Sequence, residues 1–287
     1  MTTETYRDES EYQMTTGTPN PNQAPREWDA TAYHQVSNPQ FVWGMKVLDT
    51  ITLNGDETVI DAGCGTGRLT AELLERLPNG HVIALDQSEN MLQTAREMLV
   101  PRFGDRVSFI QADLLKLNMH ERADGIFSTA TFHWIPDHAL LFQNLWHALK
   151  PGGWLVAQCG GEHNIARIMT RADALMAQEP YSAFQEKLAA HRVYASTAET
   201  HQRLHDAGFI GITTTLEETP TPFANAADYS AYVAPVILRV HLDALPDQAL
   251  RDRFVATITE AAAHDDPPFV LDYFRLNMRA HRPIAML

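Results

Sequence analysis

The stretch VIDAGCGTGRLT, residues 59–70, decides the fold of this chain. An apolar run ends in the carboxylate of Asp61, and Gly63, Gly65 and Gly67 follow at every second position. Each glycine costs conformational entropy on folding, so three glycines in five residues indicate a backbone that another group approaches closely. The stretch therefore predicts a strand, a ligand-binding turn and the start of a helix.

Beyond this turn, short runs rich in Val, Ile and Leu alternate with segments whose apolar residues recur at helical spacing. Continuous apolar strands of this kind, each followed by an amphipathic helix, form parallel sheets that are covered on both faces. The predicted strands are ETVIDAG, HVIALD, RVSFIQAD, ADGIFSTA and WLVAQCG, then IGITTTLEE and FVLDYFRLNMRAH. We therefore predict an α/β fold with a doubly wound, Rossmann-like sheet and a ligand at the carboxyl ends of its strands.

The helices between these strands have recognisable ends. One helix follows Gly67, a second takes Ser88 as its N-cap, and a third begins near Pro136. The segment KPGG, residues 150–153, is expected to end the third helix before the fifth strand begins.

The pattern also predicts how the chain is organised. Helical segments interrupt the later strands, and we expect them to form a lid over the ligand edge of the sheet. The predicted parts are a flexible tail (1–25), a Rossmann-like core with N-terminal lid helices (26–160), helical lid insertions (161–195 and 220–266), and segments that complete the core sheet (196–219 and 267–287).

The composition limits the classes of protein. The chain has 287 residues and a formal net charge of -14, which argues against a nucleic-acid partner because binding phosphates requires a basic face. No run reaches the roughly 18 apolar residues that span a bilayer, and the N-terminal residues lack the pattern of a secretory signal. Cys64 and Cys159 have no metal-ligand spacing and suit a reducing compartment. We expect a cytoplasmic monomer or homodimer without metal, membrane or nucleic-acid partners.

The glycine spacing argues against the most obvious ligand, a dinucleotide. The dinucleotide fingerprint is G-x-G-x-x-G, whereas the third glycine here comes one residue early and Arg68 stands in the sixth position. Asp61 at the strand end would also repel a pyrophosphate. The same carboxylate would attract an ammonium or sulfonium group, so a nicotinamide oxidoreductase is the least favoured function.

Two further carboxylates follow predicted strands. Asp86 closes the second strand, where a carboxylate accepts hydrogen bonds from ribose hydroxyls. Asp113 ends the third strand, where an acceptor can meet an adenine amino group. A single aspartate at a strand end is more often a helix cap or turn residue. Three such residues at consecutive strand ends, beside a glycine turn, predict a site for a nucleoside that carries an amine.

These motifs resemble those of a known family. VIDAGCGTGRLT, VIALDQSENML, VSFIQADLL and LKPGGWLV are similar, in order, to the motifs of the class I S-adenosylmethionine-dependent methyltransferases, across residues 28–160. DYFRLNMRA resembles the antiparallel seventh strand of that family. The resemblance implies a seven-stranded, mostly parallel sheet, S-adenosylmethionine as cofactor and S-adenosylhomocysteine as product.

The resemblance also implies which residues hold the cofactor. The methionine part would lie against the glycine turn and the end of the fourth strand, and the adenosine against the ends of the second and third strands. The implied residues are Asp61, Gly63, Cys64, Gly65, Thr129 and Ala130 for the methionine part, and Asp86, Gln87, Met91, Asp113 and Leu114 for the adenosine.

Two further segments resemble a narrower group. STATFHWIPDH is similar to the segment after the fourth strand in the trans-aconitate and juvenile hormone acid methyltransferases, and YHQVSNPQ to the N-terminal lid of the latter. Both groups methylate carboxylates of small molecules. The resemblance implies that Tyr33 and Gln40 close over the cofactor and that Trp134 borders the acceptor. A core position for Trp134 and a helix-surface position for Gln40 are the alternatives.

We therefore predict a methyltransferase that acts on a small molecule, with a carboxylate oxygen as acceptor. A carboxylate is already ionised near neutral pH, so catalysis would depend on alignment and exclusion of water more than on a base. His133, Trp134 and Gln40 are the candidate catalytic residues. His133 would act as a base in a C- or N-methyltransferase, or it would be a structural histidine bonded to backbone. A non-catalytic S-adenosylmethionine-binding protein is a further alternative.

The predicted lid bears on the character of the acceptor. The segment YSAYVAPVILRVHL, residues 229–242, is apolar and aromatic, whereas a tricarboxylate would need several fixed cations. Arg167, Arg171 and Arg192 would supply them or would be solvated surface residues. The expectation is a mostly apolar molecule with one polar or anionic end.

Overall fold

A computed structural model describes residues 38–188 and 192–284 of the chain. Its strands are β1 (Thr58–Ala62), β2 (His81–Asp86), β3 (Val107–Gln111), β4 (Ala123–Thr129), β5 (Leu149–Gly160), β6 (Ile210–Glu218), β7 (Thr221–Pro222), β8 (Val270–Leu271) and β9 (Phe274–His281). Seven of them form one sheet in the order β3-β2-β1-β4-β5-β9-β6, and β7 and β8 pair separately. Neighbours from β3 to β5 are parallel, and β9 is antiparallel to β5 and β6. The predicted Rossmann-like sheet with one antiparallel strand is confirmed.

The described helices are α1 (Asn38–Leu48), α2 (Arg68–Glu75), α3 (Glu89–Phe103), α4 (His138–Ala148), α5 (Ala166–Met176), α6 (Thr197–Asp206), α7 (Ala226–Val236), α8 (Arg239–Ala244) and α9 (Gln248–Ala263). The predicted N-cap of α3 is confirmed, because the Ser88 hydroxyl accepts the Met91 amide hydrogen at 3.3 Å. The start predicted near Pro136 falls two residues later, where the Asp137 carboxylate caps α4. None of the helices within residues 38–188 and 192–284 combines the length and apolar character needed to span a bilayer.

Alternate residues of the central strands pack on opposite faces of the sheet. Ile60 and Leu85 belong to one buried cluster, which α4 and α6 cover, while Val59 and Ala84 belong to another, which α2 and α3 cover. Because both faces are covered, these strands are apolar at nearly every position. Polar side chains are therefore concentrated at the strand ends, where the site lies.

The KPGG segment differs from the prediction, because it belongs to β5 and does not merely end α4. The strand already begins at Leu149. Gly152 donates its amide hydrogen to the Arg282 carbonyl at 3.1 Å, and Arg282 donates its own to the Gly153 carbonyl at 2.8 Å. The chain beyond β9 thus extends the sheet around these glycines, a pairing between residues more than 100 positions apart.

The last predicted strand is divided into β8 and β9 by Asp272 and Tyr273. The Asp272 carboxylate accepts the Arg167 amide hydrogen at 3.0 Å, and the Asp272 carbonyl accepts that of Ile165 at 2.8 Å. These bonds cap the start of α5 and do not pair Asp272 with a neighbouring strand. Tertiary contacts therefore interrupt the predicted strand, although the alternation of its polar and apolar residues continues through Asp272 in the sequence.

The two segments predicted as lid insertions contain helices that pack on each other. The first holds α5 and a 3₁₀ helix at residues 182–187, and the second holds α7, α8 and α9. They share one apolar cluster, which also includes Trp43 of α1 and Tyr273. Because β5 ends and β9 begins at the carboxyl edge of the parallel strands, this cluster lies beside that edge. The tail predicted at residues 1–25 lies outside the described residues.

Candidate active site

A cavity of about 480 Å³ opens at the carboxyl edge of the sheet, between the glycine turn and the helices of the apolar cluster. Twelve of the predicted site residues line it: Gln40, Gly63, Gly65, Asp86, Gln87, Met91, Asp113, Leu114, Thr129, Ala130, His133 and Trp134. Asp61 and Cys64 line a smaller adjoining cavity of about 70 Å³, which shares Gln40 and both glycines. Tyr33 lies outside the described residues. The fold therefore brings together residues from four strand ends and from α1.

The glycine turn has the left-handed backbone that its sequence predicts, with φ of 84° at Gly63, 54° at Gly65 and 83° at Gly67. The Leu85 carbonyl accepts the Gly63 amide hydrogen at 2.8 Å, which holds the turn against β2. A Cβ on Gly63 would lie 2.1 Å from Thr131 Oγ1, whereas a Cβ on Gly65 would meet nothing within 4 Å. Gly63 is therefore needed for packing, and Gly65 leaves open space in the cavity.

The difference in space around Gly63 and Gly65 leads to a prediction about stability. Gly63→Ala is expected to lower the free energy of unfolding by about 3 kcal/mol, from backbone strain and the clash with Thr131. Gly65→Ala is the matched control, since it adds the same methyl group to a left-handed backbone in open space and should cost only about 1 kcal/mol. Urea unfolding of the three proteins measures the difference, and equal losses for the two variants would contradict the close approach at Gly63.

Asp86 is held in one orientation at the end of β2. Its Oδ2 accepts the Gly65 amide hydrogen at 2.8 Å and its Oδ1 accepts that of Ser88 at 2.9 Å. A carboxylate has about four lone-pair directions, so hydroxyl donors of a ligand can still be accommodated. Asp86 thus joins the glycine turn to the cavity wall.

Asp113 caps a short helix and lies at the wall of the cavity. Its Oδ1 accepts the Leu115 amide hydrogen at 2.9 Å, which caps a short 3₁₀ helix. The Lys116 ammonium lies 3.7 Å from Oδ2. The residue also lines the cavity, so the bond that caps the 3₁₀ helix holds its carboxylate at the cavity wall.

Asp61 is a carboxyl group buried beneath the turn, with 2% of its surface exposed. Thr70 donates a hydrogen bond to its Oδ2 at 2.6 Å. Burial raises the pKa of Asp61 to about 7, with the Thr70 bond acting in the opposite direction and the Asp86 charge adding to the rise. A cationic ligand group nearby would favour the ionised form.

Gln40 links α1 to the helices on the far side of the cavity. Its Nε2 donates to the Tyr232 hydroxyl at 2.6 Å, which in turn lies 2.8 Å from the Tyr273 hydroxyl. Its Oε1 is buried without a partner among the described residues. Gln40 is therefore part of the cavity wall and not of the exposed face of α1.

His133 is buried and accepts a backbone hydrogen bond. The Gly160 amide donates to His133 Nδ1 at 3.3 Å, so the hydrogen of the neutral imidazole is on Nε2. Burial, with smaller effects of Arg275 and Arg192, lowers the pKa of His133 well below its usual value. The imidazole is therefore neutral near pH 7, and its Nε2, which forms no hydrogen bond to the described residues, is a donor.

The cations around the cavity differ from those predicted. The Arg192 guanidinium lies 4.3 Å from the centre of the half-buried Trp134 ring and lines the cavity. Arg171 instead pairs with Asp265, and Arg167 lies near Asp265 and Asp272, outside the cavity wall. Of the three arginines considered from the sequence, only Arg192 lines the cavity.

Arg275 also lines the cavity and was missed from the sequence. It lies at the start of β9, is 3% exposed, and its guanidinium lies 4.7 Å from the centre of the Trp43 ring. In the sequence, Arg275 is one of the polar residues of a strand in which polar and apolar residues alternate. Its place next to Leu276, in a strand whose apolar residues predict a position inside the sheet, is the feature that could have indicated its burial.

The sheet order, the left-handed glycine turn and the strand-end carboxylates together define the class I methyltransferase architecture. Its residues fit S-adenosylmethionine: Gly65 leaves open space, Asp86 presents a fixed carboxylate beside it, and the buried Asp61 carboxyl lies under the turn. Comparisons with known proteins identify the family.

A family model for a methyltransferase domain matches residues 53–208. A trans-aconitate 2-methyltransferase of Methylobacterium nodulans is 30% identical over 249 residues, which are 84% of this chain and 91% of that protein. The enzyme of the same name from Azoarcus sp. is 37% identical over 131 residues, which are 46% of this chain and 50% of that protein. The aligned part thus spans about half the length of some relatives and nearly all of another.

The structural comparisons agree on the fold. A phosphoethanolamine N-methyltransferase of Haemonchus contortus has a TM-score of 0.57 at 18% identity, over 88% of this chain and 56% of that one. The [4+2]-cyclase SpnF has a TM-score of 0.54 at 17% identity, over 92% of this chain and 86% of that one. At these identities the likeness shows the fold alone. The sequence matches show more: the chain belongs to the methyltransferase-domain family and is an S-adenosylmethionine-dependent enzyme.

Proposed function

We propose that this enzyme methylates a carboxylate oxygen of a small organic acid bound between the glycine turn and the helices above it. One observation carries the proposal: the described part of the cavity wall around His133 contains two guanidinium groups, Arg192 and Arg275, and a histidine that does not take up a proton near pH 7. Such surroundings stabilise an anion and provide no base there.

The same observation counts against the alternatives. Methylation of a neutral hydroxyl, of a carbon that carries a proton, or of an ammonium group requires a proton to be removed. The Nδ1 atom of His133 already accepts the Gly160 amide hydrogen, and its Nε2 carries the imidazole hydrogen. A carboxylate needs no deprotonation near neutral pH. The similarity to trans-aconitate 2-methyltransferases supports a carboxylic acid acceptor as well. With two cations in the wall, we now favour an acid with more than one anionic group over a mostly apolar molecule.

Each part of the cavity then has a role. When bound, S-adenosylmethionine supplies an electrophilic methyl group on a sulfonium. Its proposed contacts are Tyr33, Gln40, Asp61, Gly63, Cys64, Gly65, Asp86, Gln87, Met91, Asp113, Leu114, Thr129 and Ala130. Gln40 would also join the helices at 161–195 and 220–266, as a lid that excludes water. Trp134 would border the acceptor, and His133 would donate from Nε2.

The role of His133 makes a prediction for the pH profile. With both substrates saturating, kcat is expected to be constant from about pH 6 to about pH 9, because the acceptor is ionised throughout. His133→Asn should retain activity within about tenfold, since its amide oxygen can accept the Gly160 hydrogen bond, whereas loss of a general base costs about a hundredfold or more. Initial rates of wild type and variant across this range measure both. A kcat that rises with pH and collapses in the variant would indicate a base and contradict the proposal.

The acceptor class is tested by product chemistry. The purified chain is incubated with methyl-labelled S-adenosylmethionine and a panel of mono-, di- and tricarboxylic acids, amines and phenols. The expected product is a methyl ester, which releases its label as methanol in alkali. Transfer only to alkali-stable products would contradict a carboxylate acceptor.

The remaining expectations concern partners. Because the net charge is -14, we propose that the enzyme acts on free small molecules and not on nucleic acid. We further propose that it is cytoplasmic and is a monomer or homodimer. Sedimentation of the purified chain tests the oligomeric state, the electrophoretic mobility of nucleic acid in its presence tests nucleic-acid binding, and fractionation of the source cells tests the location.

A further inference from the structure

Arg275 is a buried cation without a counter-ion in the described part of the chain. It is 3% exposed, and none of the ion pairs among residues 38–188 and 192–284 includes it. Its Nε is buried and has no hydrogen-bond partner there. Buried charges are normally paired, because removing a charge from water is unfavourable. The guanidinium therefore lacks the anion that its position requires.

The aromatic rings that lie against the Arg275 guanidinium, those of Trp43 and Tyr273, carry no charge near pH 7. The guanidinium lies 4.7 Å from the Trp43 ring centre and 5.9 Å from that of Tyr273. In the sheet, Gly160 and Glu217 are its neighbours on the adjacent strands. Gly160 has no side chain, and Glu217 is exposed and forms no ion pair with Arg275. The aromatic rings position the cation without neutralising it.

The place of Arg275 in the sheet separates it from the cofactor side of the cavity. The sheet order places β4 and β5 between β1, which carries the glycine turn, and β9, which carries Arg275. Three interstrand spacings amount to roughly 14 Å between these backbones. His133, bonded to Gly160 directly beside Arg275, lies on the same side. A group bound by Arg275 is thus nearer to the acceptor end than to the turn.

We propose that Arg275 anchors a carboxylate of the acceptor other than the one that is methylated. This inference rests on the proposed function above. A guanidinium binds a carboxylate through two parallel hydrogen bonds, and oxygens held in this way are weakened as nucleophiles. The reacting carboxylate must instead lie toward the glycine turn. Arg275 would therefore select acids with two or more carboxylates over those with one.

The distinction from Arg192 supports this assignment. Arg192 already donates from Nη2 to the carbonyls of Val236 and Ile237, at 3.0 and 3.1 Å, and lies over Trp134. Its hydrogen-bonding capacity is thus partly used by the protein. Arg275 donates no side-chain hydrogen bond within the described residues, so the N–H donors of its guanidinium are available to a ligand.

The test measures acid binding and cofactor binding separately. Calorimetry on protein saturated with S-adenosylhomocysteine compares trans-aconitate and fumarate with crotonate, in which a methyl group replaces one carboxylate of fumarate. Wild type should bind the dicarboxylate at least about tenfold tighter than crotonate, and Arg275→Gln should remove this preference. Arg275→Lys keeps the charge but not the paired donors of a guanidinium, so its preference for the dicarboxylate should lie between those of wild type and Arg275→Gln. The affinity of the Arg275 variants for S-adenosylhomocysteine should differ from that of wild type by less than about twofold. Arg279→Gln on the same strand is the control, because Arg279 donates to Thr50 outside the cavity.

A stability measurement separates a ligand anchor from a structural cation. Arg275→Met should leave the thermal midpoint of the ligand-free protein unchanged or higher, because it removes an unpaired buried charge. The stabilisation of the wild type by trans-aconitate or fumarate should disappear in the variant. A midpoint lowered by more than about 3 °C would identify Arg275 as structural and overturn the proposal.

The other outcomes are equally distinct. If Arg275→Gln weakens S-adenosylhomocysteine as much as the acids, the anchored carboxylate belongs to the cofactor and the proposal is wrong. It is also wrong if acid binding is unchanged, or if wild type binds none of the di- or tricarboxylates. Ester formation that does not depend on Arg275 would leave the proposed function intact and refute only the anchor. Acid binding through Arg275 without methyl transfer to any acid would refute the proposed function and, with it, the assignment of the bound acid as the methyl acceptor.

Discussion

Asp86→Ala is expected to weaken the binding of S-adenosylhomocysteine at least about hundredfold, or about 3 kcal/mol. Hydrogen bonds to a charged acceptor contribute about 1.5–3 kcal/mol each, and we propose that the carboxylate accepts two from the ribose hydroxyls of the ligand. It also accepts the amide hydrogens of Gly65 and Ser88. The variant would therefore lose its contacts with the ligand and one of the bonds that hold the glycine turn against the end of β2.

Calorimetry with matched variants isolates this effect. Asp86→Asn keeps the shape of the side chain and one oxygen that can accept a backbone hydrogen bond, but it removes the charge. Its affinity for S-adenosylhomocysteine should fall about tenfold. Asp105→Ala removes an exposed carboxylate outside the cavity, and its affinity should equal that of wild type. An Asp86→Ala protein that binds as tightly as the Asp105→Ala control would remove Asp86 from the site.

Asp61→Asn is expected to stabilise the ligand-free protein while weakening cofactor binding. Burial raises the pKa of Asp61 to about 7 in the folded chain, against about 3.9 for an unfolded aspartate. The folded state therefore holds a proton that the unfolded state has lost, and stability falls as pH rises from about 4 to about 7. Above that range the ionised carboxylate costs on the order of 4 kcal/mol, which the neutral amide avoids.

Unfolding by urea at two pH values measures this contribution. The stability gain of Asp61→Asn over wild type should be larger at pH 8 than at pH 5, because only at pH 8 is the wild-type carboxyl ionised. A gain that is equal at both values, or greater at pH 5, would show that the pKa of Asp61 is not raised. Thr70, which donates to Asp61, can also pair with the amide, so the variant keeps the local packing.

The effect on binding should have the opposite sign. The ionised carboxylate attracts the amino group of the ligand, so the affinity of wild type for S-adenosylhomocysteine should rise between about pH 6 and about pH 8. The Asn variant should bind more weakly at pH 8 and show a much flatter profile. Parallel profiles for the two proteins would mean that Asp61 does not sense the ligand charge.

Much of the fold could be predicted because local and tertiary preferences agree. Each parallel strand is buried on both faces, so its apolar run is visible without knowledge of its partners. The Ser88 cap and the left-handed glycines are likewise local, since they depend on a few consecutive residues. The placement of KPGG in β5 and the break at Asp272 were not predictable, because both depend on hydrogen bonds to distant segments.

The sequence by itself determined the sheet, the glycine turn and the strand ends that carry Asp61, Asp86 and Asp113, because motif residues adjacent in sequence remain adjacent in the fold. Only the tertiary structure decided what lies opposite the turn. It directs Arg167 and Arg171 to carboxylates outside the cavity, gives His133 a backbone donor at Nδ1 and buries Arg275 without a counter-ion in the described chain. The charge state and hydrogen-bonding capacity of such groups depend on neighbours distant in sequence, and these neighbours assemble only when the helices pack beside the sheet edge.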